Sequence, residues 1–178
     1  MAITRINGAN AISGTVPTAT TATSASAIND GTSSKSKVAF HRWKLNATYT
    51  ASSGVNVITA TFNEQFAVGT SMSYSSGIWT FPYTGKWQII GNVVGAVAGS
   101  SSYRGILVQT TTNNSNYTTQ VSGYTGQDAS HYYMSAYYST FFDVTDVANC
   151  KVRFASEMAS SGDIALETWY EFYYLGDT

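Results

Sequence analysis

The stretch Gly77-Ile78-Trp79-Thr80-Phe81-Pro82-Tyr83-Thr84-Gly85-Lys86-Trp87-Gln88-Ile89 decides the fold of this chain. Two short runs of alternating large side chains flank Pro82 and Gly85, and residues of these two types interrupt strands and favour turns. A period of two points every second side chain to the same face of a strand, so Trp79, Trp87 and Ile89 are expected in a core. The stretch therefore predicts two strands joined by a turn.

The same period continues through most of the chain after residue 38. Strand-like runs cover residues 38–45, 55–62, 78–81, 86–97, 104–112, 132–144, 151–155 and 168–175. Turn-forming clusters separate them, among them Ser52-Ser53-Gly54 and the stretch 123–126, which is expected to be a loop. No segment keeps the helical period of 3.6 for three turns. Many short strands with turn signals between them predict an all-β antiparallel sandwich or jelly roll.

Composition narrows the classes of function. The chain has 178 residues, of which 43% are apolar and 11% charged, which is enough for one core and one folded domain. A net charge of -1 excludes a nucleic-acid partner held by phosphate contacts. The single Cys150 allows no intrachain disulfide and fits no zinc spacing. No apolar stretch is long enough for a membrane span, so a membrane partner is not expected either.

The aromatic residues divide the chain into two regions. All 25 of them lie at or after Phe40, whereas residues 1–37 are mainly Ala, Ser, Thr, Gly and Asn. Such a segment buries too little apolar surface to offset its own ordering entropy. We therefore predict an extended amino-terminal arm over 1–37 that lies on a neighbouring subunit, and a jelly-roll domain over 38–178. The residues expected to tether the arm are Ile3, Arg5, Ile6, Ile12 and Val16.

Several strands are too apolar for a lone sandwich, in which one face of each sheet meets water. Within 169–175 only Glu171 is polar, and large side chains occupy both parities of 132–138. Two explanations stay open at this point: an obligate oligomer, or a broad aromatic surface for a ligand. Homo-oligomerisation is favoured, because tyrosine-rich faces suit interfaces whose hydroxyls stay partly hydrated. The candidates for core or interface, with the face of each left open, are Tyr133, Tyr137, Phe141, Trp169, Tyr170, Phe172, Tyr173 and Tyr174.

The opening stretch resembles the motif G-x-F-T-x-P-x-x-G-x-Y-x-F of the globular complement subcomponent one-q and tumour necrosis factor superfamily. Gly77, Pro82 and Gly85 stand at its three backbone positions. Asn149-Cys150-Lys151-Val152 resembles the G-D-x-V turn of the same family, with Asn149 expected in the left-handed conformation that Gly would supply. The resemblance covers about residues 38–176 and implies a ten-stranded jelly roll that forms tight trimers.

A second resemblance concerns the amino terminus. Met1-Ala2-Ile3-Thr4-Arg5-Ile6-Asn7-Gly8, followed by a Ser/Thr/Ala tract, is similar to the amino termini of virion structural proteins from tailed bacteriophages. It implies a place on the virion, on the outer surface of the capsid rather than the tail. The partners it implies are the phage major capsid protein or other virion proteins.

Residues that carry chemistry are few. His41, His131 and Cys150 have no flanking signature of a nucleophile and its base, so no catalytic residue is predicted. The acids near turns, Asp143 and Asp146, form no dense oxygen-ligand motif with Asp128 or Asp163, so no metal and no cofactor are predicted. Tyr103 and Tyr124, both expected in loops, are the residues that would present a flat ring and a hydroxyl to a glycan.

The sequence-based hypothesis is a non-enzymatic structural virion protein. It is a trimeric jelly roll that decorates and cements a bacteriophage capsid, tethered to neighbouring subunits by residues 1–37. The alternative is a tail-fibre or tail-tip module that binds a host glycan. An oxygenase of the cupin type is disfavoured because the sequence lacks a clustered His/Glu ligand set.

Overall fold

The computed structural model describes residues 38–96, 102–126 and 133–178 of the chain. Within these residues the secondary structure is entirely β, and the predicted amino-terminal arm and its tether residues lie outside them. The strands are β1 (Phe40–Leu45), β2 (Tyr49–Ala51), β3 (Gly54–Val57), β4 (Phe62–Val68), β5 (Ser73–Ser75), β6 (Ile78–Thr80), β7 (Gly85–Ala96), β8 (Tyr103–Thr111), β9 (Thr118–Gly126), β10 (Tyr133–Val144), β11 (Lys151–Met158), β12 (Gly162–Ile164) and β13 (Trp169–Gly176).

The strands form two antiparallel sheets packed face to face. Sheet A has seven strands in the order β2-β12-β7-β13-β1-β4, with β10 paired along the other edge of β7. Sheet B has six strands in the order β5-β6-β11-β8-β9, with β3 also paired to β11. Consecutive strands repeatedly change sheet, as β6 and β7 do on either side of the Pro82 turn. This arrangement confirms the predicted jelly roll.

The core between the sheets is aromatic and is centred on Trp79. This side chain is completely buried, and its ring meets Phe62 at 5.2 Å and Phe154 at 5.1 Å between centroids. Phe154 of sheet B stacks on Tyr170 of sheet A at 3.7 Å, so ring contacts join the two sheets directly. Trp87 and Ile89 are also fully buried, as the alternation predicts. Edge-to-face and offset ring pairs add stability beyond the area they bury.

The glycines of the deciding stretch have identifiable backbone roles. Ser76 and Gly77 both have positive φ, at 49° and 84°, which is the backbone of the two-residue turn that fits the β5–β6 hairpin. A Cβ on Gly77 would lie 2.6 Å from the carbonyl oxygen of Ile58. Gly85, with φ of 132°, would bring a Cβ within 2.6 Å of the Tyr174 ring. Both positions therefore need the residue without a side chain.

The structure corrects three local predictions. The run 55–62 is not one strand, because β3 pairs in sheet B and the chain then crosses to begin β4 in sheet A at Phe62. The stretch 123–126 is not a loop but the end of β9, since its glycines continue the ladder with β8. Asn149 does not take the left-handed conformation. Its turn is instead held by the Asp146 carboxylate, which accepts bonds from the Ala148 amide at 2.8 Å and Asn149 Nδ2 at 2.6 Å.

A buried arginine joins the sheets at one end of the sandwich. Arg104 of β8 is 2% exposed, and its Nη1 donates to the carbonyl oxygen of Asp163 at 2.7 Å. The side chain passes over Gly95 and Gly162, where any Cβ would collide with it. The glycines of sheet A thus make room for a polar link from sheet B. Among the described residues no helix could serve as a membrane span.

Candidate functional site

The outer face of sheet A, which points away from the core, carries the largest group of exposed aromatic residues in the described structure. Side chains of β10 alternate along this face, with Tyr133, Tyr137 and Phe141 outward and Ala136 and Tyr138 in the core. The same alternation on β13 places Tyr173 outward. We call the following set the aromatic face: Phe40, Phe66, Tyr133, Tyr137, Phe141 and Tyr173.

Four of the six residues of the aromatic face are exposed, and the other two, Phe40 and Tyr173, are partly buried. The exposed fraction is 66% for Phe141, 61% for Tyr137, 58% for Tyr133 and 53% for Phe66. Ring contacts join members of the aromatic face on three strands. Phe40 stacks on Tyr173 with 4.6 Å between ring centroids, and it contacts the Phe66 ring at 5.5 Å. A monomeric protein seldom leaves so many large apolar side chains in water on one sheet face.

A polar cluster lies beside these rings on the same face. The Tyr173 hydroxyl donates to Glu171 Oε2 at 2.9 Å, and Arg42 Nη1 lies 3.5 Å from Glu171 Oε1. The guanidinium of Arg42 also sits 4.9 Å from the centre of the Trp169 ring. Partial burial and the Glu171 carboxylate raise the pKa of Tyr173 to about 12, so its hydroxyl stays protonated and donating. These contacts orient the Tyr173 and Trp169 side chains on the outer face of sheet A.

Two shallow clefts mark the ends of β10 on sheet A. One of about 370 Å³ is lined by Asn92, Val94, Tyr133, Met134, Ser135 and Glu167. The other, of about 350 Å³, is lined by Lys86, Phe141, Phe142, Asp143 and Leu175. Both are open and contain exposed apolar side chains between polar ones. This relief suits a surface that receives protruding side chains better than it suits an enclosed pocket for a small molecule.

The structure separates the sequence-predicted aromatic residues by parity. Tyr170 and Phe172 are completely buried in the core, whereas Tyr133, Tyr137, Phe141, Trp169 and Tyr173 lie on the outer face of sheet A. Tyr174 is half-buried against the core, where its ring meets Trp87 at 5.2 Å. Sequence reasoning missed Phe40 and Phe66. The alternation around Trp43 was the available signal for Phe40, but Phe66 lies on a strand that the sequence did not reveal.

The two predicted glycan residues lie on strands of sheet B, not in loops. Tyr103 begins β8 and Tyr124 lies near the end of β9, with ring centroids 6.1 Å apart and planes inclined at 64°. The Tyr124 hydroxyl donates to Glu157 Oε2 at 2.6 Å. Glu157 was missed because it lies on β11 beyond the predicted end of that strand. Because they lie on paired strands, these side chains are held in fixed relative positions.

The described residues bring together no nucleophile and base. His41 is fully buried, and its Nδ1 lies 3.0 Å from Glu64 Oε1, whereas the buried Cys150 thiol contacts Thr145 Oγ1 at 3.8 Å. Burial lowers the pKa of His41, and the bond to Glu64 opposes that shift. No group of three or more His, Cys, Asp or Glu side chains that could hold a metal ion occurs in 38–96, 102–126 and 133–178. His131 and Asp128 lie outside the described residues.

Comparison with solved structures identifies the fold type. A crystal structure of murine APRIL at pH 5.0 superposes with a TM-score of 0.62 at 13% sequence identity, covering 78% of this chain and 100% of that one. The structure of Eiger TNF from S. frugiperda gives a TM-score of 0.61 at 9% identity, covering 80% and 95%. No protein-family model matches the chain, and no curated protein matches its sequence. The described residues between 38 and 178 therefore have the jelly-roll fold of the tumour necrosis factor type.

Proposed function

We propose that this chain is a structural protein without enzymatic activity that assembles into homotrimers through the aromatic face. The observation that carries the proposal is the exposure of Tyr137, Phe141 and Phe66 on a single sheet face. Covering such side chains removes apolar area from water, which contributes about 25 cal/mol of favourable free energy per Å² buried. The trimeric state is what the resemblance to the complement and tumour necrosis factor superfamily implies.

A second copy of the chain is the best occupant of this face. The face offers both apolar rings and a rigid polar cluster around Glu171, which is the composition of interface cores ringed by polar groups. A closed trimer repeats one contact three times, so each copy presents this face and covers part of its neighbour. Self-association therefore satisfies the exposed rings without a further partner.

We place the trimer on the outer surface of a tailed-bacteriophage capsid as a decoration protein. Support comes from the resemblance of residues 1–8 to virion proteins, and from an arm rich in small residues that suits an extended tether. In this proposal Ile3, Ile6, Ile12 and Val16 supply apolar contacts to neighbouring virion subunits, and Arg5 supplies charge. The jelly roll provides the bulk that covers the shell.

The test compares virions that lack the protein with complete virions. A cement binds the assembled shell better than its separated subunits, so it stabilises the shell by mass action. Depleted particles are expected to release DNA at a lower temperature and to adsorb to cells normally. Unchanged heat release from depleted particles would overturn the proposal. Adding back a chain that lacks residues 1–36 is expected to leave particles undecorated and heat-sensitive.

A tail-fibre or tail-tip module that binds glycan is the second candidate. The specific observation in its favour is the rigid Tyr103, Tyr124 and Glu157 cluster on sheet B. The same depleted particles distinguish the two functions. A receptor module predicts lost adsorption with unaltered heat release, which is the reverse of the outcome for a cement.

A further inference from the structure

The outer face of sheet B carries a short row of residues in register across three strands. Gly105 of β8 pairs with Tyr124 of β9 on one side and with Glu157 of β11 on the other. Because cross-strand partners point to the same side of a sheet, the aromatic ring and the carboxylate flank a position that has no side chain. The row is therefore open above Gly105.

The Tyr124 ring occupies the space above Gly105. A Cβ on Gly105 would lie 2.6 Å from Tyr124 Cδ1, so the ring lies against the backbone of β8. The side chain is nevertheless 54% exposed, so a large part of it is accessible to a ligand from solvent. The Tyr103 ring stands beside it at 64°, with 6.1 Å between centroids. The Tyr124 ring therefore lies along the sheet, and the Tyr103 ring stands beside it at an angle.

A hydrogen bond fixes the hydroxyl end of the Tyr124 ring. The Tyr124 hydroxyl donates to Glu157 Oε2 at 2.6 Å, and this bond raises the pKa of the hydroxyl, which therefore stays protonated and donating. No cationic side chain lies within ion-pairing distance of Glu157 among the described residues. The carboxylate consequently keeps lone pairs available for donors that come from outside the protein.

We propose that Tyr124, Tyr103 and Glu157 form a binding platform for a saccharide. A pyranose has an apolar face of C–H groups, which stacks on an aromatic ring, and a rim of hydroxyl groups, which donate to a carboxylate. Tyr124 supplies the ring, Glu157 accepts from the hydroxyls, and Tyr103 limits how the sugar is oriented. The need for hydrogen-bond donors to Glu157 favours a ligand with hydroxyl groups over a quaternary ammonium ion, which has no donor.

The platform is independent of self-association, because it lies on sheet B and the aromatic face lies on sheet A. It is the recognition surface that the second candidate function would use. Saccharide binding with normal adsorption of depleted virions would leave the platform established and exclude the receptor role. Lost adsorption without saccharide binding would overturn the platform and leave the receptor role supported.

The experiment is a titration of the full chain, labelled on its tyrosine rings, with methyl glucoside, mannoside and galactoside, followed by NMR. The spectrum of Tyr124→Ala identifies the Tyr124 signals. At least one of these sugars is expected to shift them with a millimolar dissociation constant, as suits one stacked ring with few hydrogen bonds. Tyr124→Ala is expected to abolish binding, and Glu157→Gln to weaken it about tenfold.

Glycine variants separate the platform from general damage to the fold. Gly105→Ala displaces the Tyr124 ring from the backbone of β8 and is expected to weaken binding about tenfold, although the residues Tyr124 and Glu157 are themselves unchanged. Gly126→Ala is the matched control, since its Cβ would meet no atom within 4 Å. Absence of any Tyr124 shift with all three sugars would overturn the proposal. So would binding that survives Tyr124→Ala, or a response to tetramethylammonium in place of the sugars.

Discussion

The outer faces of the two sheets differ in how their side chains are satisfied. On sheet B, Arg153 lies over the Tyr117 ring at 3.9 Å and donates to Gln109 Oε1 at 2.7 Å, and Gln109 donates to Thr119. These groups stabilise one another and remain compatible with water. On sheet A, Phe141 and Phe66 have large apolar surfaces exposed and no polar atoms to hydrate.

This difference favours the outer face of sheet A, not that of sheet B, as the proposed interface. A solvated sheet face carries polar residues, as β11 of sheet B does with Arg153 and Glu157, and only a buried one keeps large apolar residues on both sides of its strands. The same strand shows both requirements, because β13 sends Tyr170 and Phe172 inward and Trp169 and Tyr173 outward. In the proposed trimer, the inward side chains of β13 stabilise the fold and its outward side chains take part in assembly.

The largest expected effect separates these parities on β13. Tyr170→Ser removes a fully buried ring that stacks on Phe154, which is expected to cost about 3–5 kcal/mol of folding free energy. Tyr173→Ser removes a half-buried ring from the outer face and is expected to weaken the trimer while the sheets persist. Thermal unfolding by circular dichroism and mass by light scattering report the two effects. A Tyr173→Ser chain that unfolds as readily as Tyr170→Ser would contradict the division.

The second prediction compares the two outer faces directly. Tyr137→Ser combined with Phe141→Ser is expected to shift the protein toward monomer, because central aromatic residues of interfaces commonly contribute about 2 kcal/mol or more each. Val55→Ser, which alters an exposed apolar residue of sheet B, is the control and is expected to leave the mass unchanged. Sedimentation velocity measures both. Equal dissociation in the two variants would remove the distinction between the faces.

A smaller effect is expected where the sheets are linked by Arg104. In Gly95→Ala the new methyl group collides with the Arg104 side chain, and such overpacking costs typically about 1–3 kcal/mol. Gly126→Ala provides a control on an uncrowded position of sheet B. Chemical denaturation gives the free energies of unfolding. Similar midpoints for both variants would mean that the Arg104 link is not tightly packed.

The smallest effect is a pH dependence at His41. Burial holds the pKa of this side chain below its usual value near 6.5, although the Glu64 bond opposes the shift. Between the lowered pKa and about pH 6.5 the unfolded chain binds more protons than the folded one. The free energy of unfolding is therefore greatest above about pH 6.5 and falls as the pH drops from there toward the lowered pKa. His41→Phe is expected to flatten this slope, and His131→Gln serves as the second-histidine control. A slope that persists in His41→Phe would place the titration elsewhere.

The fold was largely predictable because the strongest signal was local. The alternation of large residues around Pro82 and Gly85 placed Trp79, Trp87 and Ile89 in the core, and the structure confirms all three. The break inside 55–62 was not predictable, because strand-forming residues continue without a turn signal from Val55 to Phe62 while the chain changes sheet. Pairing partners decide such a break, and they are distant in sequence.

The candidate sites were less predictable for the same reason. Apolar residues at both parities of β13 indicated two buried faces, but only sheet geometry shows that Tyr173 joins Phe40 and Phe66. Tyr124 was found as an isolated aromatic, whereas its partner Glu157 lies 33 positions away and meets it through the β8 ladder. Gly123 and Gly126 suggested a loop, since glycine more often ends a strand than continues one.

Sedimentation equilibrium of the intact, purified chain across a dilution series measures whether the chain assembles. The aromatic face predicts one species at three times the chain mass of 19.1 kDa, persisting at micromolar concentration and below. A folded species of 19.1 kDa at micromolar concentration would rule out the homotrimer, because the exposed rings of sheet A would then have no copy of the chain to cover them.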